Sequence, residues 1–380
     1  MYKSVIEFIR EVHAKPEGVV PLHDPIFRGN EKKYLLETID STYVSSVGPF
    51  VVKFEEMMRD LTGAKYAIAI VNGTCALHLS LILAGVENGD EVITQPLTFV
   101  ATVNSIIHAN AHPHFVDVDF GSMGMSADKL KMHLNEVAEI RDGKCFNKVT
   151  GRKISACVPM HTFGLPLRID EVVEVCNEFC IPVVEDSTEG VGSYYKGKHL
   201  GRSGLMGTFS FNGNKIVTSG AGGAIITDDD SIGKRAKHLS TTAKLPHKWA
   251  FIHDEVGYNY RMSNLNAALA CAQLEQLSLF ISSKRELAGL YKKFFAGSDF
   301  QFVSEIENAN SNYWLCCVLA KDESERDEFL MYANNFQVNC RPAWTLMNKL
   351  NMFKDCFSGD LSNAISLEKR IVNLPSSVRL

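Results

Sequence analysis

The central part of the chain alternates between short apolar runs and longer amphipathic stretches. Seven runs rich in aliphatic and β-branched residues predict strands at residues 66–72, 90–96, 112–119, 153–163, 181–187, 205–211 and 222–228. Stretches in which apolar residues recur every three or four positions separate several of them, which indicates helices. Near-continuous apolar strands that alternate with helices are typical of a mostly parallel sheet covered on both faces.

A long helical pattern follows this region. Apolar residues recur at helical spacing from about residue 263 to 295, and the chain beyond it predicts a strand, a helix and a strand. We therefore expect a large domain over residues 1–262, which begins with an amphipathic helical segment. A linking helix and a smaller C-terminal α/β domain are expected over residues 263–380. A chain of 380 residues is long enough for two such domains.

Composition and charge narrow the class of protein. The net charge is −5 with both signs spread along the chain, so no basic block indicates nucleic acid or an anionic membrane as a partner. The start of the chain is unlike a signal peptide, because the charged residues Glu7, Arg10 and Glu11 interrupt any apolar run there. No apolar run elsewhere approaches the roughly 20 residues of a membrane helix. The ten cysteines show neither a disulfide framework nor paired zinc spacing. We expect a cytoplasmic protein with reduced thiols and no metal site.

The turn after the first predicted strand has the residues of a phosphate site. Ligands of open α/β sheets bind outside the carboxyl ends of the strands. The sequence there runs Asn72, Gly73, Thr74 and then helix. Gly73 allows close approach of the backbone, Thr74 is expected to cap the helix, and the next free N–H groups could bind a phosphate. A plain capping turn is the commoner explanation of such a stretch.

Three other predicted strands end in residues with useful chemistry. Glu185 and Asp186 follow a buried strand, where packing gives little reason for a carboxylate. Lys215 follows another strand in "SFNGNK", and Phe99 follows a third, where its ring could stack on a planar ligand or join the core. A phosphate site, an acid, an aromatic ring and a lysine on one edge of a sheet suit pyridoxal 5′-phosphate. That cofactor needs a Schiff-base lysine, a carboxylate for its ring nitrogen and a helix end for its phosphate.

At this point the sequence resembles the DegT/DnrJ/EryC1/StrS family of sugar-nucleotide aminotransferases, which are fold-type-I pyridoxal-phosphate enzymes. The resemblance covers nearly the whole chain and rests on the number and order of motifs such as "NGTCALHL", "GDEVITQPLTFVAT", "VVEDSTEGVGS", "SFNGNK" and "GYNYRMSNLNAALACAQLEQL". It implies the aspartate-aminotransferase-like fold, with a large, mostly parallel sheet domain and a smaller C-terminal α/β domain. It also implies a homodimer with shared active sites.

The resemblance assigns roles to individual residues. Lys215 would bind the cofactor and move protons, and Asp186 would keep the pyridine nitrogen protonated. The other cofactor contacts would come from Gly73, Thr74, the backbone N–H of Cys75, Phe99, Glu189, Ser210 and, from the neighbouring subunit, Asn259. Many relatives carry Gln or His at the position of Glu189, near the cofactor's phenolic oxygen. A carboxylate there would face a partly negative oxygen, so the carboxyl of Glu189 is expected to be protonated or turned away. His161 and Arg261 lie in matching segments and are expected near the substrate.

The implied reaction moves the amino group of L-glutamate to C4 of a nucleotide-linked 4-keto-6-deoxy sugar, with pyridoxamine 5′-phosphate as the intermediate cofactor form. The segment "PLHDPIFRGNEKKY" and Glu189 resemble the branch for bacillosamine- and legionaminic-type sugars. We therefore expect a UDP-linked 2-acetamido-4-keto sugar and a role in surface glycan synthesis. Three alternatives stay open. They are a sugar dehydratase on the same fold, whose known relatives carry His in place of Lys215, a cysteine desulfurase that uses Cys340, and a non-catalytic cofactor-binding sensor.

Overall fold

The apolar runs of the first two thirds of the chain form the strands of the central sheet. The computed structural model describes residues 2–380. The strands are β1 (Tyr66–Ile70), β2 (Glu91–Thr94), β3 (His112–Phe115), β4 (Ala138–Arg141), β5 (Lys144–Asn147), β6 (Lys153–Val158), β7 (Val184–Asp186), β8 (Tyr194–Tyr195), β9 (Lys198–His199), β10 (Met206–Ser210), β11 (Gly223–Thr227), β12 (Gln301–Phe302), β13 (Ala309–Asn310), β14 (Cys316–Leu319), β15 (Arg341–Pro342), β16 (Phe357–Ser358) and β17 (Ile371–Leu374). All seven strands predicted for the large domain are present, each within its predicted limits.

The central sheet is mostly parallel, as the pattern predicts. Its order is β1, β11, β10 and β7, and parallel bridges from Cys157 to Val183 and from Met160 to Asp186 continue it into β6, β2 and β3. β7 is parallel to β10, and β2 is parallel to both β3 and β6, whereas β11 runs antiparallel between β1 and β10. The carboxyl ends of β1, β2, β7 and β10 therefore lie at the same edge.

Helices pack on both faces of this sheet. The helices are α1 (Tyr2–Val12), α2 (Glu31–Asp40), α3 (Pro49–Thr62), α4 (Gly73–Leu83), α5 (Val100–His108), α6 (Ala127–Val137), α7 (Ile169–Glu178), α8 (Asp230–Ser240), α9 (Asn264–Leu274), α10 (Leu277–Phe294), α11 (Glu323–Asn335) and α12 (Ser362–Glu368). Successive strand residues point to opposite faces. In β11, Ala224 and Ile226 pack in the same apolar cluster as Phe54 of α3, and Ile225 packs with Leu77 of α4.

The long helix predicted over about residues 263–295 is two helices, α9 and α10. They are separated at Glu275 and Gln276, and the Gln276 backbone has φ −106° and ψ 0°. Beside the interruption, the amides of Gln273 and Gln276 both donate to Glu31 Oε1, at 2.7 and 2.8 Å. These contacts join residues more than 240 positions apart. Helical periodicity therefore gives no sign of them.

The C-terminal residues form a second, antiparallel sheet of order β12, β14, β17 and β15. Helix α1 packs on this unit, because Tyr2 lies 5.5 Å from Phe329 and Phe8 stacks on Phe294 at 4.0 Å between ring centroids. The prediction from the sequence placed that helical segment in the large domain. The division at residue 262 stays a prediction.

Within residues 2–380, no helix combines the length and the apolar character needed to span a membrane. The cytoplasmic location stays a prediction.

Candidate active site

A cavity of about 310 Å³ lies at the carboxyl ends of the central strands. Its size falls within the range of small-molecule sites. Seven of the predicted site residues line it: Gly73, Thr74, Phe99, Asp186, Glu189, Ser210 and Lys215. The structure therefore brings together residues that come from turns after β1, β2, β7 and β10.

The turn after β1 presents free N–H groups to this cavity. Asn72 caps α4 with an extended backbone, and its Oδ1 accepts the N–H of Cys75 at 2.8 Å. The sequence named Thr74 as the cap and the N–H of Cys75 as a phosphate donor, and both assignments are corrected by this contact. The N–H groups of Gly73 and Thr74 have no acceptor among residues 2–380. They lie at the positive end of the helix dipole, where anions bind.

The space in front of this turn stays open because residue 73 is glycine and has no side chain to fill it. A Cβ atom added to Gly73 would lie 2.9 Å from Ser210 Cβ and 3.2 Å from Thr188 Cγ2. Ser210 ends β10 and also lines the cavity. The turn, the Thr74 side chain and the Ser210 hydroxyl thus form a cradle of suitable chemistry for a phosphate.

Asp186 presents an oriented carboxylate to the cavity. It ends β7 and is almost fully buried. Its Oδ2 accepts the hydroxyl of Thr102 at 2.7 Å, and its Oδ1 accepts the hydroxyl and the N–H of Thr188 at 2.7 and 3.2 Å. These three donors fix the direction of a group that only accepts hydrogen bonds when ionised. Neither threonine was predicted as a site residue.

Lys215 lies between a carboxyl group and an aromatic ring. Its Nζ is 3.1 Å from Glu189 Oε1 and 4.0 Å from the ring centroid of Trp314. Burial raises the pKa of Glu189 to about 7, although the charge of Lys215 acts in the opposite direction. The sequence expected Glu189 to be protonated or turned away. The carboxyl is not turned away, because it faces Lys215, and a pKa close to neutral pH leaves it partly protonated there.

Aromatic side chains form another part of the lining. Phe99 is 47% exposed, so it is not a core residue, and its ring centroid lies 6.0 Å from that of Trp344. Trp314 and Trp344 come from the C-terminal part of the chain, and the sequence interpretation missed both. The only signal for them was that they are two of three tryptophans in the chain, which says nothing about position.

His161 does not face the cavity. It is fully buried, its Nε2–H donates to Glu185 Oε2 at 3.1 Å, and its Nδ1 accepts the N–H of Leu167 at 3.3 Å. Glu185 in turn accepts the N–H groups of Gly201 and Gly204. Both ring nitrogens of His161 are therefore engaged inside the fold, and its position does not support the expected substrate contact.

Asn259 and Arg261 also lie outside the cavity of their own chain. Asn259 is exposed, and its Oδ1 accepts the Nε–H of Arg261 at 3.0 Å. Arg261 lines a separate cavity of about 280 Å³ together with Lys237 and Thr241. The single chain therefore does not join these two residues to Lys215.

The desulfurase alternative needs a reactive thiol, and Cys340 does not provide one. It is fully buried, and burial raises its pKa to about 12. A thiol in this state is not a nucleophile near neutral pH.

Comparison with known proteins identifies the family. The model of the DegT/DnrJ/EryC1/StrS aminotransferase family matches residues 25–380. The chain belongs to this family. The aminotransferase is 36% identical over 357 residues to GDP-perosamine synthase of Escherichia coli O157:H7, which covers 94% of this chain and 93% of the relative. It is 34% identical over 363 residues to GDP-perosamine synthase of Vibrio cholerae, with 94% of each chain covered.

A solved structure shows the same fold. Helicobacter pylori PseC, an aminotransferase involved in the biosynthesis of pseudoaminic acid, superposes with a TM-score of 0.84 at 21% identity over 94% of each chain. The expected fold class and cofactor are confirmed. The chain is a pyridoxal-phosphate-dependent sugar-nucleotide aminotransferase of fold type I.

Proposed function

We propose that the aminotransferase moves the amino group of L-glutamate to C4 of a nucleotide-linked 4-keto-6-deoxy sugar. The observation that carries this proposal is the meeting of Lys215, Asp186 and the open N-terminus of α4 in one cavity. Two relatives are named for GDP-perosamine, a 4-amino sugar, which supports amination at C4. Their names favour a GDP-linked sugar over the UDP-linked 2-acetamido sugar expected from the sequence.

We propose that the residues that line the cavity bind the phosphate, the ring face and the ring nitrogen of pyridoxal 5′-phosphate. The N–H groups of Gly73 and Thr74 and the hydroxyl of Ser210 bind the phosphate, and Phe99 covers one face of the ring. Asp186 holds the proton on the ring nitrogen, because its donors keep the carboxylate aimed into the cavity. The bound cofactor supplies an electron sink for the reacting carbon.

Lys215 supplies the reactive amine. It is the lysine among the lining residues, and its Nζ lies within the cavity beside Glu189. When it is released, its neutral amine would take a proton from the carbon that carries the amino group of L-glutamate and deliver it to the cofactor, and toward the sugar it would move a proton in the opposite direction. A lysine at this position, where known dehydratases of the family carry histidine, favours transamination over dehydration.

We also propose that two copies of the chain form a homodimer with shared sites, in which Asn259 reaches the cofactor phosphate of the partner. Asn259 is exposed and does not line its own cavity. The preceding loop carries exposed apolar side chains, since Trp249, Phe251 and Val256 are 79%, 81% and 84% exposed. Apolar groups in such number at the surface are typical of a contact with another protein.

Absorbance and product analysis test the reaction. Purified protein is expected to be yellow, and L-glutamate alone should remove the band of the lysine-bound cofactor. GDP- and UDP-linked 4-keto-6-deoxy sugars are then offered separately, and mass spectrometry detects the amino product. Transfer should follow ping-pong kinetics. A colourless protein that cannot be reconstituted, or sequential kinetics, would contradict the proposal.

Lys215→Ala is expected to abolish transfer. Lys237→Ala is the matched control, because Lys237 pairs with Glu55 at 2.6 Å outside the cavity. Loss of activity in both variants would point to a general effect of removing a lysine.

A further inference from the structure

Two groups of opposite character surround the free amine of Lys215. Glu189 Oε1 lies 3.1 Å from Nζ, and the ring of Trp314 lies 4.0 Å from it. The lysine side chain is only 12% exposed, so little water replaces these contacts. A carboxylate and the face of an indole both favour the charged form of an amine. The surroundings are therefore suited to an ammonium ion.

Glu189 is held in place by an unusual backbone. Its Oε2 accepts the N–H of Phe163 at 2.8 Å. Phe163 has φ +58° and the next residue, Gly164, has φ +85°. A left-handed conformation is unfavourable for phenylalanine and persists where the surrounding structure imposes it, which is common at functional sites. Here it directs an N–H group at the carboxyl of Glu189.

A second contact fixes the backbone of Glu189. Asn312 Nδ2 donates to the carbonyl of Glu189 at 2.8 Å and to that of Val191 at 2.9 Å. A Cβ atom on Gly164 would lie 2.1 Å from Asn312 Oδ1, so glycine is needed where the two segments meet. The carboxyl therefore reaches Lys215 from a rigid support.

Trp314 is fixed from two directions. Its indole N–H donates to the carbonyl of Asn214 at 2.7 Å, and Asn214 directly precedes Lys215. Its own carbonyl accepts the amine of the buried Lys284 at 3.1 Å. The ring therefore keeps its place against Lys215.

We propose that Glu189 and Trp314 form a resting site that holds Lys215 as an ammonium ion while the lysine is detached from the cofactor. The inference rests on the proposed role of Lys215, which must be released when the amino group is carried by the cofactor. This site holds the lysine close to the reacting atoms between the half-reactions, and the ammonium ion gives up a proton before the amine acts as a base. Glu189 and Trp314 act through Lys215 and are positioning residues.

The pairing is expected to depend on pH through Glu189. The charged groups that act on this carboxyl are Lys215, which favours its ionisation, and Asp186, which opposes it, in addition to burial. With a pKa of about 7, Glu189 is ionised above neutral pH and protonated below it. The resting site is therefore strongest above neutral pH.

Lysine labelling tests the proposal without sugar or L-glutamate. The full-length protein is reconstituted with pyridoxamine 5′-phosphate, the form in which Lys215 is free, and treated with acetic anhydride over a range of pH. Mass spectrometry gives the rate and the midpoint of the pH profile for each lysine. In Glu189→Gln we expect the midpoint for Lys215 to fall by at least about one unit, with labelling about tenfold faster near pH 8. Trp314→Leu should give a smaller increase, about two- to fivefold.

Two further variants make the result specific. Glu189→Asp keeps the charge and should keep a midpoint close to that of the wild type. Glu55→Gln, in the unrelated Lys237 pair, should leave Lys215 unchanged. A rate that rises equally at every pH indicates access to the reagent and overturns the proposal, as does an unchanged midpoint in Glu189→Gln. If sugar transfer fails while the midpoint shifts, the proposed substrate is wrong and the resting site stands.

Discussion

Replacing Gly73 with alanine is expected to weaken cofactor binding, because the added methyl group enters the proposed phosphate cradle. The new Cβ would lie 2.9 Å from Ser210 Cβ, 3.2 Å from Thr188 Cγ2 and 3.3 Å from Ser210 Oγ. Carbon atoms in favourable contact are about 3.5–4.0 Å apart. Ser210 pairs with Gly223 in the sheet, so its backbone cannot easily move away.

The size of the effect follows from this crowding. Overpacking of this kind costs about 1–3 kcal/mol, shared between stability and the geometry of the cradle. If about 1.4 kcal/mol falls on binding, the dissociation constant rises about tenfold. Pyridoxamine 5′-phosphate is the right ligand for the measurement, because it forms no bond with Lys215 and its affinity reports the non-covalent contacts alone.

Isothermal titration calorimetry on the full-length protein measures this change. Gly213→Ala is the matched control, since Gly213 lies two residues before Lys215 and an added Cβ would have nothing within 4 Å. Circular dichroism and thermal unfolding show whether each variant is folded. A folded Gly73→Ala protein that binds pyridoxamine 5′-phosphate as tightly as the wild type would refute the assignment of the phosphate to this turn.

Two other predictions concern the charge of Glu189 and the sharing of the site. Burial raises the pKa of Glu189 from 4.5 to about 7, so the native state binds a proton that the unfolded state has lost. The stabilisation from this proton is complete below about pH 4.5 and disappears as the pH rises through 7. Across this range the free energy of unfolding of the cofactor-free wild type, measured by denaturant titration, should fall by about 3 kcal/mol relative to that of Glu189→Gln. The same pH dependence of the free energy of unfolding in both proteins would contradict the prediction. For the dimer, mixing inactive Lys215→Ala and Asn259→Ala proteins should restore part of the activity, because a mixed dimer has one site with both native residues. No recovery after verified subunit exchange would exclude a shared site.

Local patterns were sufficient to predict the sheet and the residues at its edge. The continuous apolar run of β11 is visible in the sequence, and it reflects burial on both faces, with Ala224 and Ile226 on one and Ile225 on the other. The rule that ligands bind at the carboxyl ends of strands then brought Asp186 and Lys215 together, since each lies at or just after such an end. These predictions succeeded because each depends on a few neighbouring residues and on one property of parallel sheets.

Other features depended on contacts between distant segments. Trp314 reaches Lys215 from about 100 residues further along the chain, and no short-range pattern indicates that approach. The choice of Asn72 over Thr74 as helix cap is a different case. Both residue types cap helices well, and the extended backbone at Asn72 decides between them. The residue types at these two positions do not by themselves determine that backbone conformation.

The charges in the cavity give a physical reason for a second subunit. Among the described residues that line it, Lys215 is the only cationic side chain, and it already faces Glu189. The proposed ligands bring one phosphate on the cofactor and two on the nucleotide sugar, while Asp186 adds a further negative charge. Helix α4 offers a partial positive charge to one of these phosphates. The others need cations from outside the lining, and Arg261, which contacts the exposed Asn259, lines a separate cavity. A partner that brings this surface to the cavity would supply the missing positive charge, so the charges of the proposed ligands favour a shared site.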